Sequence, residues 1–589
     1  MRGVSLVLLC YNVNILWLIL LAFSTPSIAL AQTGPTGPAV SGFISDLNTD
    51  RLNGIAVIAK VGAATVPASV NTQINVMAPP YSAKGDGTTD DTAAIQAAYT
   101  AARSISGASV LFPKGIFLVT SRGASNPIIA VPSGVATLGM GQKTTTIKVK
   151  GGTGDYNAIF QAVDSSDSFS NLTIDQNNQG NPISSMNPRF AIASFAGVNV
   201  QKVEVKNIGA VNTVVAGGGV VTIAYNLFEI DGSGTYYHDH STIYVHGTSG
   251  TICDNVFQGV MNGAGSGAAI ETHMGHITVT GNVIDSYMGG MNITGIDMTG
   301  AEGVIISNNT ISNADGGISL WSMTYGKHTT GYGLRNVTVS DNVIRITQTA
   351  WTINGISGLT PAGPFSGIAS VTTANLPMRD ISIRHNRVEY DLESNRSAPY
   401  SLYSTGIGYW DINYAGGSYN TVQNFDVSDN KIINPPTSGI SMVVAGSGIQ
   451  ISGNTILDSG SAANPGLKAA YRNGISLDGK QASNVLVEHN TIKDMQATST
   501  MVRCIQVFGD ATANYSLAML DNTFGVADAT HISLASIIST GSAISPYITG
   551  QVLSPTLTTR LLPSHAANGS HLKSLSSGTI ETRIGGVWK

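Results

Sequence analysis

The sequence predicts an all-β solenoid: stacked coils of short parallel strands, with one helix ahead of the first coil. Three observations predict it. A four-residue element of the form x-Asn-x-apolar recurs ten times between residues 225 and 524. A second strand pattern, built on a shared Ile, precedes that element in coil after coil. An Ala-rich helix signature stands before the first strands.

The chain has 589 residues, a net charge of −5, and only 11% Asp, Glu, Lys and Arg. With mild acidity and no Lys/Arg cluster, it lacks the electrostatic footprint of a nucleic-acid binder or of a partner for an anionic membrane. The N-terminus reads as an export signal. Arg2 precedes an apolar run from Val4 to Phe23, and Ala29-Leu30-Ala31 fits a cleavage site, so residues 1–31 are expected to be removed and the protein secreted. No other segment approaches a membrane span. Cys10 lies in the signal, and Cys253 and Cys504 are too few for a disulfide framework.

Residues 32–73 read as a linker. From Ile74 the sequence continues INVMAPPYSAKGDGTTDDTAAIQAAYTAARS. Gly85-Asp86-Gly87 is a turn, and Asp90 and Asp91 ahead of Thr92-Ala-Ala-Ile are N-cap and first-turn chemistry for a helix. ASVLFPKGIFLVTS then reads as strand, Pro-Lys-Gly turn and strand.

The stretch YSAKGDGTTDDTAAIQAA, Tyr81 to Ala98, resembles the opening motif of the pectate-lyase-like superfamily of right-handed parallel β-helices, which includes polysaccharide enzymes and tailspike-type depolymerases. The resemblance implies a single-stranded right-handed parallel β-helix whose N-terminal end is capped by the helix. It makes Asp86, Asp90 and Asp91 structural acids. It says little about reaction, because hydrolases, lyases and epimerases share the architecture. Residues 74–529 are then the β-helix and 530–589 a C-terminal cap or oligomerisation segment. The analogy with tailspike-like members favours a trimer.

The repeat supports the same fold independently. The element reads YNLF at 225, DNVF at 254, GNVI at 281, NNTI at 308, DNVI at 341, HNRV at 385, DNKI at 429, GNTI at 453, HNTI at 489 and DNTF at 521. Such periodicity belongs to solenoids, in which each coil buries its apolar face only against its neighbours. The recurrent Asn suits a turn that stacks on its own copy, with amides bonding along the ladder.

The second strand reads STIYVHG, AAIETHM, TGIDMTG, GGISLWS, TGIGYWD, SGISMVV, NGISLDG and RCIQVFG, aligned on Ile243, Ile270, Ile296, Ile318, Ile407, Ile440, Ile475 and Ile505. Side chains alternate along a strand, so if each Ile points inward, the residues one and three further on point outward. That alignment gathers Tyr244, Glu271 and Asp297 on one outward row and His246, His273, Trp321 and Trp410 on the next. Glu271 and Asp297 would then sit on adjacent coils, about 4.8 Å apart. Two carboxyls this close favour one protonated and one ionised, the requirement of a glycosidase. The expected catalytic residues are therefore Glu271, Asp297, His273 and His246, with Tyr244, Trp321, Trp410, Asp239 and His240 lining the sugar groove.

His238, Asp239, His240 and His246 in GTYYHDHSTIYVHG resemble a metal-ligand cluster, but strand alternation splits them and no Cys partner or HExxH spacing accompanies them. No metal or other cofactor is expected. His276, in the turn after His273, reads as surface. The functional expectation is a secreted glycoside hydrolase acting on a polysaccharide. The alternatives are a polysaccharide lyase using Tyr244 or a His as base, and a non-catalytic carbohydrate-binding solenoid.

Overall fold

A computed structural model describes residues 72–182, 189–209, 212–231, 241–260, 268–273, 275–287, 289–294, 302–314, 316–322, 333–347, 366–372, 376–391, 404–411, 422–460, 472–496, 501–526 and short strands from 538 to 588. Most of them are strand, and the strands pair in parallel with their counterparts one coil away. The chain is a right-handed parallel β-helix with three sheets.

The first sheet contains Ser241–Val245, Ala268–Thr272, Gly289–Thr294, Gly316–Ser322, Ile368–Thr372 and Ile407–Asp411. The second contains Ser249–Cys253, Ile277–Thr280, Glu302–Ser307, Arg335–Ser340 and Arg379–Arg384. The third contains Val256–Gln258, Val283–Asp285, Thr310–Ala314, Val343–Thr347 and Arg387–Asp391. After Val526 another coil stacks on: Ile538–Thr540, Tyr547–Thr549 and Gln551–Leu553 pair with the coil before it. His571–Ser574 pairs with Gln551–Leu553 and, antiparallel, with Ile580–Ile584.

The inward positions form one continuous apolar core. Ile243, Ile270, Ile318, Ile368, Ile407, Ile440, Ile475 and Ile505 are all fully or almost fully buried, each against the next coil's residue. Phe228 stacks on Phe257 with ring centroids 5.0 Å apart.

The asparagine ladder is present at all ten positions. The side-chain amide of Asn226 donates to Oδ1 of Asn255 at 2.9 Å, and the same bond repeats through Asn282, Asn309, Asn342, Asn386, Asn430, Asn454 and Asn490 to Asn522. The residue before each Asn has a positive φ in every coil, from Tyr225 to Asp521. This left-handed corner explains why Asp, Asn, Gly and His fill nine of the ten slots, with Tyr225 in the other, and β-branched residues fill none.

At the N-terminal end, the helix Thr92–Ala102 buries Ile95, Ala98, Tyr99 and Ala102. Tyr99 packs against Phe112 and Phe160 and hydrogen-bonds Thr137 at 2.7 Å. The three acids of the opening motif are structural. Asp86 accepts from the Thr88 and Thr89 amides. Asp90 accepts from the Thr92 amide and hydroxyl and from the Thr120 hydroxyl. Asp91, at the N-cap position, makes no side-chain cap bond; its carboxylate holds the Lys84 and Gly85 amides instead, fixing the preceding turn.

Two strand assignments differ from the sequence pattern. The coil between Ile318 and Ile407 has its own strand, Ile368–Thr372, whose GIAS pattern lacks polar alternation. In the coil after Glu271, the strand is Gly289–Thr294 and Met291 pairs with Ile270 and Ile318, where the sequence pattern places Ile296. TGIDMTG imitates the strand locally, but the register of its two neighbours selects GGMNIT.

Candidate active site

The outward row of the first sheet is built on the buried Ile column. Tyr244, Glu271, Asn292, Ser319, Ala369, Gly408, Ser441, Ser476 and Gln506 follow one another in register. Asn292, not Asp297, therefore stands opposite Glu271. Asp297 lies outside the described residues, five positions further along, so the register itself does not pair the two carboxylates. Asp239, His240, Trp351 and the N-terminal 71 residues also lie outside the described residues.

Around Glu271 the expected cluster assembles. Strand alternation puts Glu271 and His273 on one face, with the buried Thr272 between them. His273 Nε2 lies 2.8 Å from Glu271 Oε1. The Ser241 hydroxyl donates to the other carboxylate oxygen. Sequence reasoning missed Ser241: it begins the preceding strand and occupies no outward row read from the Ile alignment.

The imidazole of His273 lies flat against that of His246, with 4.3 Å between centroids and 5° between planes. Tyr244 tilts against both rings, at 4.8 Å from His246 and 5.2 Å from His273. The Glu271 and His273 side chains are 12% and 4% exposed. Burial alone would push the Glu271 carboxyl up, but the hydrogen bonds from His273 and Ser241 and the charge of the two histidines outweigh it, holding the group below its ordinary range. Glu271 is thus kept as an acceptor-only carboxylate, the state that fixes the orientation of a neighbouring imidazole.

The aromatic positions follow the neighbouring row. Trp321 pairs with Val371, which pairs with Trp410. Both tryptophans are half-buried. A Cβ added at Gly408 would meet the Trp410 ring at 2.0 Å, so the indole lies back over its own strand where Gly408 leaves room. His276 is exposed at the corner, with φ +49°. Among the described residues no group of three His, Cys, Asp or Glu is arranged to hold a metal ion, and no helix is long and apolar enough to cross a membrane.

Residues 73–319 match the family model for "Rhamnogalacturonase A/epimerase, pectate lyase-like". The chain is 36% identical over 103 residues to the mannuronan C5-epimerase AlgE1 of Azotobacter vinelandii, a match covering 16% of this chain and 7% of that enzyme. It is 42% identical over 73 residues to alginate lyase 7 of the same organism, covering 12% and 8%. The chain thus matches less than a tenth of the length of these curated relatives. Among solved structures, a tailspike protein of E. coli bacteriophage HK620 in complex with a pentasaccharide superposes with a TM-score of 0.56 at 15% identity, covering 82% of this chain and 80% of that one. The opening motif, the family match over residues 73–319 and the stacked coils agree on one architecture: the chain has the fold of the right-handed parallel β-helices and is similar, over that region, to the pectate-lyase-like family.

Proposed function

We propose that the chain is a polysaccharide-modifying enzyme that abstracts a ring proton beside a uronate carboxyl, with His273 as the base and Glu271 as its positioning residue. The observation that carries this reading is the 2.8 Å contact between His273 Nε2 and an ionised, doubly hydrogen-bonded Glu271. With the Nε2 proton donated to Glu271, Nδ1 is the basic nitrogen. A paired carboxylate also repels an anionic sugar less than a bare one.

In a β-elimination, the C5–H bond breaks and its proton passes to His273. The electron pair forms the C4=C5 double bond, the C4–O bond breaks, and the departing glycosidic oxygen takes a proton from the Tyr244 hydroxyl. An epimerase would instead return a proton to C5 from the opposite face. The similarity to a mannuronan C5-epimerase and an alginate lyase supports this pair of outcomes.

A second reading, the glycoside hydrolase expected from Glu271 and Asp297, is favoured by one observation: an ionised Glu271 suits a general base or nucleophile. It requires a protonated partner that the register does not place opposite Glu271.

The test is product analysis on alginate, polygalacturonate and a neutral glucan, following ultraviolet absorbance of unsaturated sugars, new reducing ends, and solvent-deuterium uptake at C5. Unsaturation or deuterium uptake that is lost in His273→Ala supports proton abstraction. Reducing ends without unsaturation, lost in Glu271→Gln and Asp297→Asn, support the hydrolase and contradict it.

A further inference from the structure

Phe195 is 67% exposed, the most exposed large hydrophobic side chain among the described residues. Its position relative to the reactive cluster is fixed by register. Ser194, Ala216, Val245 and Thr272 pair in succession on four consecutive coils. The residues that follow them are Phe195, Gly217, His246 and His273. Backbone bonds carry the pairing through this extra position: the Gly217 amide donates to Ser194, that of His246 to Ala216, and that of His273 to Val245. Phe195 therefore lies in the column of the two stacked histidines, two coils toward the N-terminus of His246, about 10 Å at the usual strand spacing.

The residue between them is a glycine. A Cβ at Gly217 would stand 3.7 Å from Cδ1 of Phe195, so a larger side chain there would crowd the ring from the coil that lies between it and His246. Gly217 leaves that approach open. Val163, which follows Ala162 opposite Ser194, is 52% exposed and extends the apolar surface by one coil. Continued the other way, the same column reaches Thr294 and then Trp321, two coils beyond His273. The histidine pair thus lies midway between two aromatic positions along the helix axis.

We propose that Phe195 is a sugar-stacking platform, forming a subsite that receives a pyranose ring of the polysaccharide on the N-terminal side of the His246–His273 pair. The inference rests on the reading of this cluster as the polysaccharide-modifying site. A pyranose, with an apolar face and a polar rim, fits an exposed aromatic ring. Occupation of both platforms would lay the glycan along the coil axis across His273.

The experiment is electrophoretic retardation in gels containing alginate, polygalacturonate or dextran, using His273→Ala as the parent so that the polymer is not consumed. Phe195→Ala and Phe195→Trp are added to that parent. Because Phe195 is exposed, both are expected to melt with the parent. On the polymer that retards the parent, Phe195→Ala should weaken binding about tenfold, the scale of an aromatic contact, and Phe195→Trp should preserve it. Equal retardation of Phe195→Ala and the parent overturns the subsite, as does a parent that none of the three polymers retards. Turnover of the otherwise native enzyme separates the two claims. If His273→Ala still turns over substrate while Phe195→Ala loses binding, the subsite stands and the assignment of His273 falls.

Discussion

His246 and His273 lie ring on ring, 4.3 Å apart and 5° from parallel, because consecutive coils place them at the same outward position of the first sheet. His273 contacts the Glu271 carboxylate at hydrogen-bond distance. In the proposed reaction the two rings take different roles: His273, held by the carboxylate, is the base, and His246 packs on one face of it.

That asymmetry predicts unequal kinetic effects. His273→Ala should lower kcat by about 10²–10⁴-fold, the range of a lost general base. His246→Ala, which removes a packing face and a nearby charge, should cost less and act partly through KM. Steady-state kinetics of the two variants, read beside their melting curves, checks the order.

Ser241 gives a second handle on the same carboxylate. Its hydroxyl helps hold Glu271 ionised, so Ser241→Ala should raise the carboxyl's pKa and move the acid limb of the pH–rate profile upward. The stability linkage has a definite sign. A folded-state pKa below the ordinary 4.5 contributes stability that is present above about pH 4.5 and is lost as the pH falls through the lower folded value. The stability difference between wild type and Glu271→Gln should therefore shrink in acid, which chemical denaturation at a series of pH values measures.

The ladder predicts a structural cost with no effect on the chemistry. Asn282→Ala removes the acceptor for both the backbone amide and the side-chain amide of Asn255, and the donor to Ile252 and Asn309, all in buried surroundings. Leaving such groups unpaired should destabilise the coil by about 1–3 kcal/mol or more. Ala in place of the exposed Asp341, in the slot before the ladder, should cost less, and Val there should cost more because it resists a positive φ. Denaturant midpoints of the three variants rank them.

Gly408 predicts a local effect on the groove. An added Cβ would overlap the Trp410 ring, so Gly408→Ala must displace the indole. Polymer binding should weaken while the core Ile407 and its stacked neighbours keep the fold intact; gel retardation with near-ultraviolet circular dichroism reports both.

Much of this was legible in the sequence for a physical reason. The ladder asparagines and the buried isoleucines repeat because every coil solves the same burial problem, so their pattern recurs from Asn226 to Asn522. Tyr244, Glu271, His246 and His273 were legible because their coils stack without insertions and strand alternation carries the register. The slot opposite Glu271 belongs to Asn292 and not to Asp297, because the local look of TGIDMTG does not reveal which strand the neighbouring coils select; Asp297 itself lies outside the described residues. Ser241 and Phe195 were missed because an isolated Ser or Phe carries no periodic signal. Only the stacking of coils brings one to Glu271 and the other into the histidine column.

The most direct test of the central claim is solvent-deuterium uptake and unsaturated-product formation on a uronate polymer, wild type beside His273→Ala. Wild type is expected to yield one or both, and His273→Ala to abolish them while keeping the wild-type fold. Uptake and unsaturation that persist undiminished in His273→Ala, or cleavage that yields reducing ends alone, would contradict it.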